Sequence, residues 1–291
     1  MKFVTFHDDG PRPGAVIGNL VLDIAAAMPA APPSLRAILA GGLLPAVRNL
    51  VDNAAELDHA LFRRLEETRL LPPIPDPGKI VCLGLNYADH AREQGKEPPV
   101  RPIIFAKAVT ALAAPGADIV IPAGVDSVDA EAELAVVIGR DCRRVDRETA
   151  LDHVAGYTAF NDVSARRIQR EDRQWFRAKG FDTFAPCGPW LVTPDETGDP
   201  GALSVTQRLN GRVMQAGTTA DLIFDVPAVV SFVSAGMTLR AGDIIATGTP
   251  AGVGVFRDPP VFLSDGDLVE IEISRIGALR NRVRTEARGN K

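Results

Sequence analysis

DAEAELAVVIG (129–139) is the stretch on which the reading of this chain turns. Side chains on a strand alternate faces, so Glu131 and Glu133 point one way while Leu134, Val136 and Ile138 point the other. A Glu-x-Glu on a strand is most often a solvated face. Here the residues that follow are apolar on both faces, which marks a strand buried between layers, and acids at the edge of such a strand need a charge partner. A third acid, Asp162, closes a second apolar run, AGYTAFNDVSAR (155–166). Three carboxylates of this kind suit a hard divalent cation that keeps positions open for water or substrate.

Outward from this centre the chain divides by pattern. Residues 2–24 read as short strands around the turn HDDGPRPG, and 34–70 read as helical, with apolar residues at helical spacing from Leu35 to Leu61. LPPIPDPG (71–78) has four prolines in eight residues and continues neither element. The expected organisation is a small N-terminal domain (1–70), a Pro-rich linker (71–78), a larger domain (79–284) and a loose tail (285–291). The larger part opens with the strand KIVCLGL (79–85). It continues into a two-turn helix with Asn86 as N-cap and Gly95 as its stop, a segment short enough to serve as a lid over 86–100. A polar helical stretch is expected over 163–177, then the strand PWLVT. Asp225 and Pro227 start a helix that ends at Gly236. Acidic glycine turns then feed strands in LRAGDIIATG (239–248) and LSDGDLVEIEIS (263–274), and GALRNRV (277–283) adds another. Many short strands with interspersed helices predict a mixed, mostly β core of sandwich or barrel type.

Whole-chain properties exclude some functions. The 291 residues are 46% hydrophobic and 24% charged, with a formal net charge of −5 and a pI near 5.5. This gives no electrostatic footprint for nucleic acid, and no basic run is interleaved with aromatics. No apolar run reaches spanning length and the start lacks a signal-peptide pattern, so no membrane role and a cytoplasmic location are expected. Cys82, Cys142 and Cys187 are well separated in apolar sequence and read as reduced structural thiols.

Of four histidines, His7 lies in a turn, His59 in a polar helix and His153 in the helical-looking LDHVAGY. His90 differs because Glu93 lies three residues on, where a carboxylate on the same helical face can orient the imidazole and stabilise its protonated form. That pair has the makings of a general base. Lys179 precedes the apolar and turn-forming FDTFAPCGP, so a carboxylate or an anionic ligand is its expected partner. Thr247 and Thr249 in ATGTPAG suit turn capping, and the GxG spacing nearby lacks the helix that a phosphate loop needs.

Taken together, KIVCLGLNYADHAREQ, DAEAELAVVIGR, GYTAFNDVSAR, KGFDTFAPCGPWLVT, IATGTPAGVG and GALRNRV resemble the fumarylacetoacetate hydrolase (FAH) family. The likeness is to bacterial members that act on acylpyruvates or isomerise 2-hydroxyhepta-2,4-diene-1,7-dioate, and it covers roughly residues 79–284. It implies an α+β fold, a mixed β-sandwich roll with a small N-terminal α/β module, in a homodimer. It further implies Mg²⁺ or Mn²⁺ on Glu131, Glu133 and Asp162, and a catalytic dyad of His90 and Glu93 on the lid. Lys179 would contact substrate or a metal-bound oxygen, with Arg166, Gln169, Thr183 and Thr249 lining the substrate site. The chain departs from the family pattern at Ala130, Arg167 and Gly180, which leaves ligands and dyad intact.

The resemblance implies hydrolysis of a carbon–carbon bond in a 2,4-dioxo acid of the acylpyruvate or fumarylpyruvate type, through a metal-bound enolate. Decarboxylation or keto–enol isomerisation of a 2-oxo dioate would use the same residues. A non-catalytic metal-binding protein is the rival of another class, and the intact His90–Glu93 pair argues against it.

Overall fold

The structure, a computed structural model, is described here for residues 1–287. Two sheets organise it. The larger has twelve strands, and its main path runs from Phe62–Arg64 at one edge, through the N-terminal strands and the centre, to Ile103–Lys107 at the other. The smaller has five strands and includes Ser204–Leu209, Leu268–Ile273 and Gly277–Thr285. Neither closes into a barrel, so of the two architectures open to the sequence the sandwich is the one adopted.

The strand Ala132–Ile138 is the keel, and all seven of its residues are buried. Leu134, Val136 and Ile138 pack with Val205, Ile271 and Ile273 of the smaller sheet. Ala135 and Val137 face the opposite layer with Leu35, Ile38 and Leu39 of the helix Leu35–Ala40. The apolar run is therefore apolar on both faces because both faces are covered. Its neighbours are Val154–Asn161, antiparallel in the register Ala132↔Asn161, and Ile244–Ala246, antiparallel through Ala135↔Ala246. Ile244–Ala246 in turn runs parallel to Ile80–Gly84.

The N-terminal strands Lys2–His7, Pro11–Ile17 and Leu20–Asp23 belong to the same sheet, joined to Ala185–Val192 through Lys2↔Val192. Along the Pro-rich stretch Pro72, Pro73, Ile74 and Pro77 are buried, and the Thr5 hydroxyl donates to Pro73 O at 2.7 Å. The division at 71–78 is thus one of sequence composition, and packing runs across it. Thr285 ends the last strand and Glu286 N–H donates to Ile121 O at 2.9 Å; the rest of the expected tail, from 288, lies outside the described residues.

Three local expectations are modified, two of them by tertiary pairing and the third by a break in the backbone. The helical pattern over 34–70 ends at Asp52, and Phe62–Arg64 becomes an edge strand on Leu20–Asp23. LDHVAGY is a 3-10 turn to His153 and a strand from Val154, held by Ile138↔Val154. Residues 163–177 form two short helices, Arg166–Asp172 and Trp175–Lys179, broken where Arg173 takes a left-handed φ of 56°. Other signals hold as read, including Asp225 capping Val226–Gly236 through Ala228 N–H at 3.0 Å. All three cysteines are free and buried, and burial pushes the Cys187 thiol up to about 12. Among the described residues no helix is long and apolar enough to cross a membrane.

Gly156 marks a tight crossing in the core, since a Cβ there would lie 2.2 Å from Val192 O. Gly156→Ala is expected to destabilise the protein by about 3 kcal/mol through overpacking, read as a lower urea midpoint at unchanged m-value.

Candidate active site

The register that pairs Ala132 with Asn161 sets Glu131 beside Asp162, whose N–H donates to Glu131 O at 2.9 Å. Glu133 lies two residues along the same strand. Oxygens of Glu131, Glu133 and Asp162 all come within 4.8 Å of one another, and all three side chains are buried. The three predicted carboxylates are therefore brought together, and the β-pairing is the cause.

Cations already surround two of them. Lys179 Nζ, at the end of the helix Trp175–Lys179, donates to Glu131 at 2.8 Å, Asp162 at 2.6 Å and Ser164 Oγ at 2.7 Å. All three of its protons are thus committed. Arg166 donates to Asp129 at 2.6 Å, to Glu131 at 2.5 Å and to Gln169 Oε1 at 3.1 Å. Lys107 ends the edge strand and reaches Asp162 Oδ1 at 2.5 Å and Val163 O at 3.1 Å from full burial. Glu133 has no cation at hydrogen-bond distance and accepts from Gly248 N–H at 2.9 Å.

The electrostatics follow. Burial would raise the Glu131 carboxyl, but Arg166 and Lys179 outweigh it and hold the group well below the usual range. Burial pushes Glu133 well above that range, and the nearby Asp162 and Glu131 charges push the same way. Burial works against the Lys179 ammonium, yet Asp162 and Glu131 raise its pKa and keep it charged. Asp129 is raised to about 6 by burial, with Arg166 opposing. Four buried carboxylates, Asp129, Glu131, Glu133 and Asp162, face three buried cations, Lys107, Arg166 and Lys179. Counted as ionised, the acids exceed the cations by one, and the excess falls on Glu133, where a proton meets it in the absence of a metal. An all-oxygen donor set short of positive charge is what a divalent cation fits.

Above the cluster opens a cavity of 310 Å³, lined in part by His90, Glu131, Glu133, Arg166 and Lys179. His90 sits on the helix Ala88–Glu93, its ring edge-on to Phe256 with centroids 5.8 Å apart. Its Nδ1 lies 2.8 Å from Glu93 Oε2. A carboxylate only accepts, so Nδ1 carries the hydrogen and Nε2 keeps a lone pair. Nε2 is capped at 2.8 Å by the Gln94 amide. The lid is hooked shut by Glu93, which accepts from Gly252 N–H at 2.8 Å, and by Asp89, which accepts from Ala251 N–H at 3.2 Å. Gly252 has a φ of +105°, and a Cβ there would meet Met214 O at 2.1 Å, so only glycine can offer that N–H.

Of the remaining expected substrate residues, Gln169 and Thr249 line the cavity. Thr249 Oγ donates to Ala132 O at 2.9 Å, which ties the loop to the keel strand. Thr183 stands apart from the cavity wall, its hydroxyl accepting from Val120 N–H at 2.8 Å in a turn. Asn86 does not cap the lid helix; Tyr87 holds that position. The Asn86 amide instead donates to Phe224 O and Thr247 O at 2.9 and 2.8 Å and anchors the root of the lid. Sequence reasoning missed Lys107, Asp129 and Gln94. A lysine closing the apolar run IIFA was the available signal for the first, and an acid two positions before Glu131 for the second. Gln94 had none. The departures at Ala130 and Arg167 are benign: Ala130 is buried in the core, and Arg167 pairs with Asp126 and Glu171 at the surface.

The end of a sandwich strand thus sets three carboxylates that could hold a metal ion beneath a histidine on the helix Ala88–Glu93. The family model for the fumarylacetoacetate (FAA) hydrolase C-terminal domain matches residues 79–284, and the chain belongs to that family. It is 43% identical over 290 residues to the mitochondrial oxaloacetate tautomerase FAHD2A of Bos taurus, covering 97% of this chain and 91% of that one. Among solved structures, a fumarylacetoacetate hydrolase from Exiguobacterium antarcticum superposes with a TM-score of 0.85 at 38% identity, covering 98% of this chain and all of that one. A maleylpyruvate hydrolase from Sphingobium sp. SYK-6, in complex with manganese(II) and pyruvate, gives 0.81 at 34% identity, covering 99% of this chain and 100% of that one. The chain is thus an enzyme of a family with hydrolase and tautomerase members.

Three outcomes test the site. Glu133→Ala is expected to weaken Mn²⁺ binding at least ~100-fold in calorimetry while the fold survives, because a hard cation loses both charge and an oxygen donor. Glu133→Gln carries a pH signature in metal-free protein. An acid whose folded pKa is raised binds more protons folded than unfolded, so its contribution to stability falls as pH rises above the unfolded value of about 4.5. The advantage of Glu133→Gln over the unsubstituted chain should therefore be near zero below that pH, grow above it, and disappear when Mn²⁺ is added; thermal melts with and without chelator read this. In hydrogen exchange, residues 88–100 should gain protection when oxalate and metal are added, while the Asn86 root is protected in both states.

Proposed function

We propose that this enzyme interconverts the keto and enol forms of a short 2-oxo dioate of the oxaloacetate type, with Mg²⁺ or Mn²⁺ on Glu131, Glu133 and Asp162. The observation that carries the reading is a single buttressed proton-transfer group, His90 with Glu93, on the wall of a cavity floored by the carboxylate cluster. Similarity along nearly the whole chain to a protein named as an oxaloacetate tautomerase supports it.

A divalent cation, when bound, supplies the Lewis acidity that makes the carbon beside a 2-oxo group acidic. His90 does the proton transfer. In the enol-forming direction Nε2 takes a proton from C3, and the carbonyl oxygen then receives one, so only a C–H and an O–H bond change. Glu93 stabilises the imidazolium between these events and fixes the ring's orientation. Gln94 must first leave Nε2, since its amide occupies that nitrogen. Lys179, with its three protons on Glu131, Asp162 and Ser164, contributes as a fixed charge facing the developing oxyanion.

Hydrolysis of a 2,4-dioxo acid is the second reading, supported by similarity to a maleylpyruvate hydrolase. There Nε2 takes its proton from water, hydroxide adds to the C4 carbonyl, and the C3–C4 bond breaks to give a carboxylic acid and the enol of pyruvate. Incubating metal-loaded enzyme with enol-oxaloacetate and, separately, with an acylpyruvate distinguishes the readings. Loss of enol absorbance at unchanged mass supports tautomerisation, acid plus pyruvate supports hydrolysis, and carbon dioxide marks decarboxylation. No acceleration of enol loss above the solvent rate would overturn the first reading.

His90→Ala is expected to lower turnover by about 10²–10⁴, the usual cost of losing a general base. Oxalate affinity should stay within a few-fold, because no contact to the chelating head is removed. Parallel loss of both would make the imidazole a ligand-binding group.

A further inference from the structure

The cavity wall carries two cations that make no ion pair with an acid among the described residues. Arg166 and Lys179 are each bound to two carboxylates. Lys96 Nζ donates only to the Gln94 amide oxygen at 2.9 Å, and Arg170 donates to no group among the described residues. Both are exposed, so they stand at the mouth while the carboxylate cluster is buried at the floor. They come from different elements: Lys96 directly follows Gly95 at the end of the lid helix, and Arg170 lies in the helix Arg166–Asp172. Much of the remaining wall is apolar, formed by Leu83, Leu85, Phe105, Trp175, Val255 and Phe256.

We propose that Lys96 and Arg170 are specificity-determining residues that receive a second carboxylate at the substrate's far end. The proposal rests on the reading above, in which the 2-oxo head lies on the carboxylate cluster. A tail of a few carbons then extends along the apolar wall towards the mouth. A charged tail end entering that space loses water and needs a cation to replace it, and an uncharged tail gains nothing from these two side chains. Arg170 can bind a carboxylate through two parallel N–H groups. Lys96 contributes from the lid, so a charged tail also helps hold the lid shut, whereas a tail-less ligand leaves closure to Glu93 and Asp89 alone.

The test compares binding of 2-oxoglutarate, 2-oxopentanoate and oxalate to the Mn²⁺-loaded enzyme by calorimetry. The first two share head and chain length and differ in tail charge; oxalate has no tail. The unsubstituted enzyme should prefer 2-oxoglutarate, and Lys96→Met and Arg170→Met should each weaken it by about tenfold. Affinity for 2-oxopentanoate and oxalate should be unchanged, and Lys96→Arg should retain most of the preference. No preference in the unsubstituted enzyme, unchanged 2-oxoglutarate binding in both variants, or equal weakening of all three ligands would overturn the proposal. Because the readout is binding, an enzyme that prefers the dioate yet fails to accelerate enol loss would sink the tautomerase reading and leave this one standing.

Discussion

The one buried carboxylate of the cluster that lacks a cation partner, Glu133, is the constraint around which the rest of this molecule is arranged. Four acids in a low-dielectric interior repel one another, and three cations reach them from three elements: the edge strand, the helix before Lys179 and the helix that begins at Arg166. The balance stops one charge short. Complete internal pairing would leave no electrostatic reason for a metal to bind; a larger deficit would make the metal-free fold costly. With a divalent cation the excess becomes positive, which suits an anionic substrate. The deficit falls on Glu133, the one member of the triad whose hydrogen-bond partner is a backbone N–H.

Hydrogen bonding gives the segment around the helix Ala88–Glu93 an anchored root and a body tied at two points. Asn86 gives its side chain to two backbone carbonyls and accepts from Phe224 N–H at 2.9 Å. These bonds are buried or partly buried and do not involve ligand. Beyond them the helix is held by Asp89 and Glu93 on the N–H groups of Ala251 and Gly252. Glu93 is thus both the partner of His90 and a tie to Gly252, so the contact that orients the imidazole also fixes the helix.

Most of the fold was legible because the decisive signal is local and strong. An apolar run on both faces identifies a central strand, and the paired acids at its start fix where the site must lie. The elements that were misread, residues 53–70 and 151–157, are ones whose own pattern is helical or ambiguous and whose strands exist only because Leu22 meets Phe62 and Ile138 meets Val154 across the chain. The site shows the same division. Carboxylates adjacent in sequence or ending apolar runs could be found, whereas Lys107 reaches Asp162 from 55 residues away. Nothing in its own neighbourhood names its partner. Thr183 illustrates the converse: a residue beside others of the site whose backbone turn directs its hydroxyl to Val120.

The N-terminal residues, set apart by composition, are part of what keeps the site dry. Leu35, Ile38 and Leu39 cover the face of the keel strand that bears Ala135 and Val137, opposite the smaller sheet. A strand exposed there would admit water beside Glu133, raise the local dielectric and weaken both the repulsion that favours metal and the attraction that keeps Lys179 charged. The charge deficit has its force only inside a closed sandwich. The small residues Ala135 and Ala246 on this face let the helical layer approach closely, which is why a segment with no residue in the cavity wall still bears on its chemistry.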